Sequence, residues 1–378
     1  MSERVYYPIQ QICIASHAGS YIPVLGGQSL SVSGDNPITQ IFQLGQLEVY
    51  GNITDLPNIN VNVEKVLDGY PLVFHLASKD ATDPGLVGRT VKKCKLGLSV
   101  FSSDQEEASG TPMCTVEMSG FDIASISYQF NTSDVFRETV GFVGNDIIVS
   151  DDDEIVNPDA ETRSDNLEIT GAFGGTFTPF LNKKEHMDFE YTVMTTDDNG
   201  SIEDPDCTVL PQEIDGISDS GTNEKTGEIY DSVLQSITVS VDLGRSEIPG
   251  LGSKFPQCRY VEYPVEVTCE VECTPKFCGF VSAVAAGIYS DGEVCGDSYG
   301  KNSKDRTIRI ATCEGTRIYT GTKNQLRSFN WSGGDTSGGN VTMSYSYVTY
   351  NHFTVLHEND PNSNGATWWT NRTDYLVG

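Results

Sequence analysis

Four stretches of this chain alternate apolar and polar residues, and that periodicity leaves few folds open to it. Ile59–Val66 reads Ile-Asn-Val-Asn-Val-Glu-Lys-Val and Val265–Glu272 reads Val-Glu-Val-Thr-Cys-Glu-Val-Glu, while Ile237–Asp242 and Val341–Tyr347 repeat the signature. Successive side chains of a strand point to opposite faces. Each stretch therefore predicts a strand with one dry and one wet face, the habit of antiparallel sheets packed on a single side. Helical periodicity is scarce: Asp122–Ser127 and the Ala-rich Phe280–Ile288 are the best segments, so one or two short helices are expected.

Surroundings of the alternating strands nearly recur. Ser31-Val32-Ser33, Leu44-Gly45, Leu56-Pro57 and a strand ending at Glu64 are matched by Ser240-Val241, Leu243-Gly244, Tyr263-Pro264 and a strand reaching Glu270, which suggests a tandem duplication. Between the two sets the composition changes: residues 151–230 hold 21 Asp/Glu against four Lys/Arg. The expected organisation is a first β half over 1–150, an acidic insertion or linker over 151–230, and a second β half over 231–378. A solvated insertion explains the acidic run; calcium binding is the sharper alternative, but the order of a calcium loop, with its Gly and distant Glu, is not met.

The whole chain of 378 residues carries 53 acidic and 24 basic residues, a net charge of −29. Such a field repels free nucleic acid, which excludes a sequence-specific DNA binder but suits a surface past which DNA slides. Residues 1–8 show no basic start followed by an apolar stretch, and no segment approaches the ~20 apolar residues a spanning helix needs. A chain made and kept in a cytoplasm, without membrane contact, is expected. Its Asn-x-Ser/Thr triplets then carry no meaning.

Ten cysteines are many for a reducing compartment, and Cys258, Cys269, Cys273, Cys278, Cys295 and Cys313 crowd the C-terminal third. Three readings stand: buried thiols acting as small hydrophobes, disulfides formed after release from a cell with Cys273 and Cys278 spaced for a tight loop, or a zinc site, for which no CxxC or Cys/His spacing is present.

Catalytic signatures are weak. Gly296-Asp297-Ser298-Tyr299-Gly300 fits the Gly-x-Ser-x-Gly pattern, but its neighbours read as loop, and a Gly- and Ser-rich chain produces such matches by chance. His352 and His357 lie five apart, which in a strand sends them to opposite faces. No Walker-type loop, His-Glu-x-x-His or dinucleotide fingerprint occurs. The chain is expected not to be an enzyme and to need no metal or cofactor.

Gln40–Tyr50 followed by Asp55–Tyr70 resembles bacteriophage tail tube proteins. Ser127–Phe130 to Phe142–Asn145, Val239–Gly252 continuing to Tyr263–Glu270, and Gly333–Asp335 to Tyr350–Asn351 share the resemblance. It implies a mainly β protein, an antiparallel β-sandwich tube fold whose strands from neighbouring copies close one inner barrel. Six copies would form a ring, or three if the halves are duplicates, and stacked rings would make the conduit for DNA ejection. Tail sheath, baseplate and tail terminator proteins are the implied further partners, and the virion tail the implied location. The strands from Ile59 and Val265 are candidates for the barrel wall. Asn60, Asn62 and Glu64, with Glu266, Thr268 and Glu270, would then face the lumen. Another virion β-protein (head decoration, baseplate or adhesin component) is the alternative, and a β-rich hydrolase a more distant one.

Overall fold

A computed structural model describes residues 10–102, 111–150, 187–193, 232–275, 306–333 and 340–357, apart from positions 18, 254 and 313, together with Tyr7, Leu181, Lys184 and Asp360. The protein is mainly β. In chain order the first strands are β1 (Gln10–Ser16), β2 (Ile22–Pro23), β3 (Gly27–Asp35), β4 (Ile38–Phe42), β5 (Val49–Thr54) and β6 (Asn58–Val66). Two helical turns follow, α1 (Val73–Ala77) and α2 (Leu86–Thr90), and then β7 (Lys93–Val100), β8 (Cys114–Asn131), β9 (Arg137–Gly144) and β10 (Ile148–Ser150). Beyond them run β11 (Met187–Val193), β12 (Ser232–Asp242), β13 (Arg245–Ile248), β14 (Cys258–Val261) and β15 (Glu266–Pro275). The last are β16 (Arg306–Thr312), β17 (Arg317–Tyr319), β18 (Gln325–Ser332), β19 (Thr342–Tyr350) and β20 (Thr354–Leu356).

All four alternating stretches lie in strands, β6, β12, β15 and β19, which pair antiparallel. The expected helix at Asp122–Ser127 is corrected: those residues lie within β8, whose 18 residues run through it. Asp122 and Ile123 are both buried because the strand bends here, after Gly120 at φ 70° and at a register shift between Ile123 and Ser125. Positive φ at Gly120 is a conformation a side chain would oppose. Phe280–Ile288 lies outside the described residues.

The bend makes β8 a hub. Its first half pairs β7 on one edge and β10 on the other; its second half pairs β12 and β9. A continuous antiparallel path of eight strands results, in the order β3-β6-β9-β8-β12-β15-β19-β18. Among the described residues, β3 and β18 end the path and pair no further strand.

This path contains one pattern twice. β3, β6, β8 and β9 pair in the order β3-β6-β9-β8, and β12, β15, β18 and β19 pair in the order β12-β15-β19-β18. Each set carries a hairpin between its first two strands, β4-β5 or β13-β14. Register repeats too. Ile38 faces Thr54 as Arg245 faces Val261, a constant offset of 207 residues. The shift at Gly27/Ser29 recurs at Leu234/Ser236, and that at Ile123/Ser125 at Leu326/Ser328. Leu44-Gly45 therefore corresponds to Leu251-Gly252, with Gly45 at φ 90° and Gly252 at φ 83°, and Val32 corresponds to Val239. The equivalences first drawn with Val241, Leu243-Gly244 and Glu270 are corrected, because pairing register and bulges, not the few shared residues, fix the correspondence.

One face of the path is buried in a single apolar cluster. Val61, Val63, Val140, Ile126 and Tyr128 of the first set join Val239, Val241, Val267, Cys269 and Tyr347 of the second. A second layer covers them: Ile14, Leu96 and Phe74 from β1, β7 and α1, and Ile308, Ile310, Ile318 and Val355 from the sheet β11-β16-β17-β20. Two layers with the core between them are a sandwich.

Candidate functional site

The opposite face of the eight-strand path is wet and nearly uncharged by cations. A single row of facing residues crosses all eight strands: Ser29, Glu64, Thr139, Ser127, Ser240, Thr268, Val348 and Gln325. Residues directly opposite in antiparallel strands share a face, so hydroxyls, amides and carboxylates form one sheet-wide surface. The next outward-facing row runs Arg137, Gln129, Thr238, Glu270, Ser346 and Ser328.

The six residues predicted to face water stand on this surface. Asn60, Asn62 and Glu270 are exposed, and Glu64, Glu266 and Thr268 are half-buried. Their intervening neighbours Val61, Val63, Val267 and Cys269 are all buried. Glu64 and Thr268, 204 positions apart in the chain, belong to the same row. Sequence reading placed Ser240 and Ser346 in alternating stretches without singling them out, and missed Ser127 and Thr139. The signal for Ser127 was its spacing from Ser125, too short a run to be read as alternation.

Positive charge on the face is neutralised. Lys65 is the one lysine in these eight strands, and it points into the core, fully buried and ion-paired with Asp68. Arg137 is bound to Glu64 and, at 3.0 Å, to Asp134; Arg327 is bound to Glu266. Ser29 and Ser236 donate to Glu64 and Glu272 at 3.3 and 3.1 Å. Glu270, Glu272 and Asp242 leave the surface net acidic.

Buried polar groups lock the layers behind it. Glu138, fully buried, accepts hydrogen bonds from the Tyr128 hydroxyl at 2.8 Å and from the backbone N–H groups of Val73 and Phe74 at 2.7 and 3.2 Å, tying β8, β9 and α1 together. Burial pushes its carboxyl pKa up; the hydrogen bonds oppose that. Arg89 of α2 is paired with Asp360, beside His75 and His357. Such pairs specify an arrangement more than they stabilise it.

Cys94 and Cys269 are fully buried thiols whose pKa values burial pushes up, that of Cys269 to about 12, so neither is poised as a nucleophile. Cys273 is also buried, and Cys278 lies outside the described residues, as do Ser298 and most of 151–230. His352 is exposed and His357 buried, on opposite sides of their segment.

Two edges remain. β3 and β18 end the path, and both are exposed along nearly their whole length. Val32 is 42% exposed and Trp331 50% exposed. A strand at the end of a sheet is a place where another segment can pair.

No family model matches this sequence, and no curated protein matches it. Solved structures with partial likeness include a chain of the anti-feeding prophage baseplate (9% identity, 40% of this chain and 97% of that chain, TM-score 0.30). Others are chains of an extracellular contractile injection system, one from its sheath-tube complex (11% identity, 40% and 94%, TM-score 0.28) and one from its sheath/tube terminator (15%, 39% and 98%, TM-score 0.27). These likenesses are too slight to assign a family or a function.

Proposed function

We propose that the chain is a structural subunit of a long-tailed virus particle, the tail tube protein, whose copies assemble side by side into rings and stack into the conduit for DNA ejection. The observation that carries this reading is the eight-strand sheet with one apolar face covered, one hydrophilic face whose described cations are all ion-paired, and two end strands that pair no further strand among the described residues. A sheet of that kind wants closure through other copies, because its edges are templates for pairing. Closing it with the wet face inward gives a channel lined by Ser, Thr, Asn, Gln and Glu. Duplex DNA carries about one charge per 1.7 Å and binds proteins chiefly through Lys and Arg, so a wall without free cations lets it pass without adhesion.

The role is architectural and needs no catalytic group. Asn60, Asn62, Glu64, Glu266, Thr268 and Glu270 are lining residues in this reading, the polypeptide itself is the main partner, and sheath, baseplate and terminator proteins would meet the outer layer. Cryo-electron microscopy of the purified chain at high concentration tests it: hollow rings or tubes are expected. A persistent monomer, together with absence of the chain from isolated tails, would end the reading.

A further inference from the structure

Behind the wet face lies a buried pair of side chains that a conduit does not need. Lys65 of β6 and Asp68, just past its end, are both buried, and their side chains form an ion pair away from solvent. The carboxylate is fixed in place: Oδ1 also accepts from the Tyr70 N–H at 3.1 Å, and Oδ2 lies over Gly26, where a Cβ would be 2.2 Å away. The ammonium donates in addition to the Val66 carbonyl at 3.1 Å, with the Tyr70 ring centroid 5.8 Å off. Glu138 faces Lys65 across β6 and β9, and its carboxyl feels the Lys65 charge.

The repeat indicates that the fold does not need these charges. Gly27 and Lys65 are facing residues, and so are Leu234 and Cys273, on the far side of the equivalent register shift. Cys273 therefore stands where Lys65 stands, and Met343, which faces Cys273, stands where Glu138 stands. Both are buried. The second set fills the same place with sulfur-bearing apolar side chains, and a buried ion pair contributes little to stability that such residues do not. A buried ammonium held against a buried carboxyl is, however, a pair of reactants.

We infer that Lys65 and Asp68 condense in the folded chain, Lys65 Nζ bonding to Asp68 Cγ as a side-chain amide with loss of one water. The inference does not depend on the tube reading. Burial disfavours both charges, and passing one proton from the ammonium to Oδ2 of the carboxylate removes them together. Burial pushes the Asp68 carboxyl pKa up, against the pull of Lys65. The neutral amine is then a nucleophile. As it attacks Cγ, negative charge gathers on Oδ1, at which the Tyr70 N–H is already aimed. A second proton passes from nitrogen to Oδ2, the Cγ–Oδ2 bond breaks, and water leaves. Of the three protons on the ammonium, one stays and two depart with the oxygen, so no outside reagent is required. Glu138 is placed to hold the second proton in transit, a part that suits a carboxyl whose pKa burial raises. A dry site also withholds the water that would reverse the step. The product fastens the corner where the chain leaves β6 for α1 and replaces two buried charges by one neutral group.

The test is peptide mass spectrometry of the purified, reduced full chain. Trypsin cuts after a free lysine and not after an acylated one. The expected main species is a peptide that spans Lys65 and Asp68, uncut after Lys65 and lighter by one water than its sequence. Lys65→Met should show the same region at full mass. A wild-type peptide at full mass and cut after Lys65 overturns the inference. So does a peptide lighter by one water that trypsin still cuts there, because the loss then belongs to a succinimide at Asp68-Gly69. Glu138→Gln, shown to be folded by its near-ultraviolet spectrum, should leave the peptide mainly uncondensed; complete conversion in that variant overturns the part given to Glu138. Whether the chain forms tubes is read separately, by imaging, and does not alter these outcomes.

Discussion

The hydroxyl of Tyr128 donates a 2.8 Å hydrogen bond to Glu138 across adjacent strands, with both side chains fully buried. Tyr128→Phe removes a donor from a carboxyl group that has only protein around it, and should lower unfolding free energy by about 2 kcal/mol. Glu138→Leu also strips the acceptor from two backbone N–H groups of α1, and should lower it by about 3 kcal/mol or more. Urea titration of the chain below its assembly concentration checks both, and equal effects would contradict the assigned geometry.

Arg89 and Asp360 are a buried pair joined across 271 residues. Asp360→Asn leaves the guanidinium unbalanced, so a loss of about 3 to 5 kcal/mol is expected, whereas replacing both by Met and Leu should restore most of it. The double variant's Tm is the deciding measurement.

Acid should loosen the same region. His75 is held to a pKa of about 4, by burial first and then by Arg89, with Asp360 and the Val355 carbonyl opposing; His357 is held to about 3, by burial and then by His75 and Lys65, with Asp360 opposing. The unfolded chain takes up these protons near 6.5, so the stability they protect is whole above that pH and declines as pH falls toward 4 and 3. Each histidine steepens the decline by about 1.4 kcal/mol per pH unit. Glu138, Asp68 and Asp122, raised by burial, act in the opposite sense and favour the fold in acid. His75→Gln should flatten the curve of unfolding free energy between pH 6 and 4; an unchanged slope would show that this imidazole does not titrate with folding.

Gly144 has no room for a side chain, since a Cβ there would lie 2.4 Å from the Phe121 ring. Gly144→Ala should destabilise by about 1 to 3 kcal/mol, and Phe121→Leu in the same chain should recover part of it by making space.

Cations placed on the wet face should make DNA stick. Thr268→Lys with Ser240→Lys sets two ammonium groups side by side in the row that crosses the sheet. Assembled wild-type material should retain no duplex at 50 mM salt on a filter, as expected for a wall without free cations, while the variant should retain it with a salt-dependent affinity. Retention by the wild type would contradict the conduit.

Much of the sheet was legible because the residues that form β6, β12, β15 and β19 declare their two faces locally. β8 was not, since its bend at Gly120 breaks the alternation just where Asp122 and Ile123 turn inward together. The repeat was visible only in outline: Val32 was set against Val241 instead of Val239, because correspondence is carried by bulges and cross-strand register that no short window contains. The supports were invisible for the same reason. Glu138 meets Val73 across 65 residues and His75 meets Val355 across 280, distances over which a sequence gives no hint of contact.

The seam between β8 and β12 has a kinetic meaning as well. Where it is folded rather than assembled, its two sides are tethered at high effective concentration and need no encounter between molecules. In the ring proposed above, every chain would bring such a seam already formed, and its tethered halves would stay free to diverge, so that the outside of the ring would present two different surfaces to whatever surrounds it.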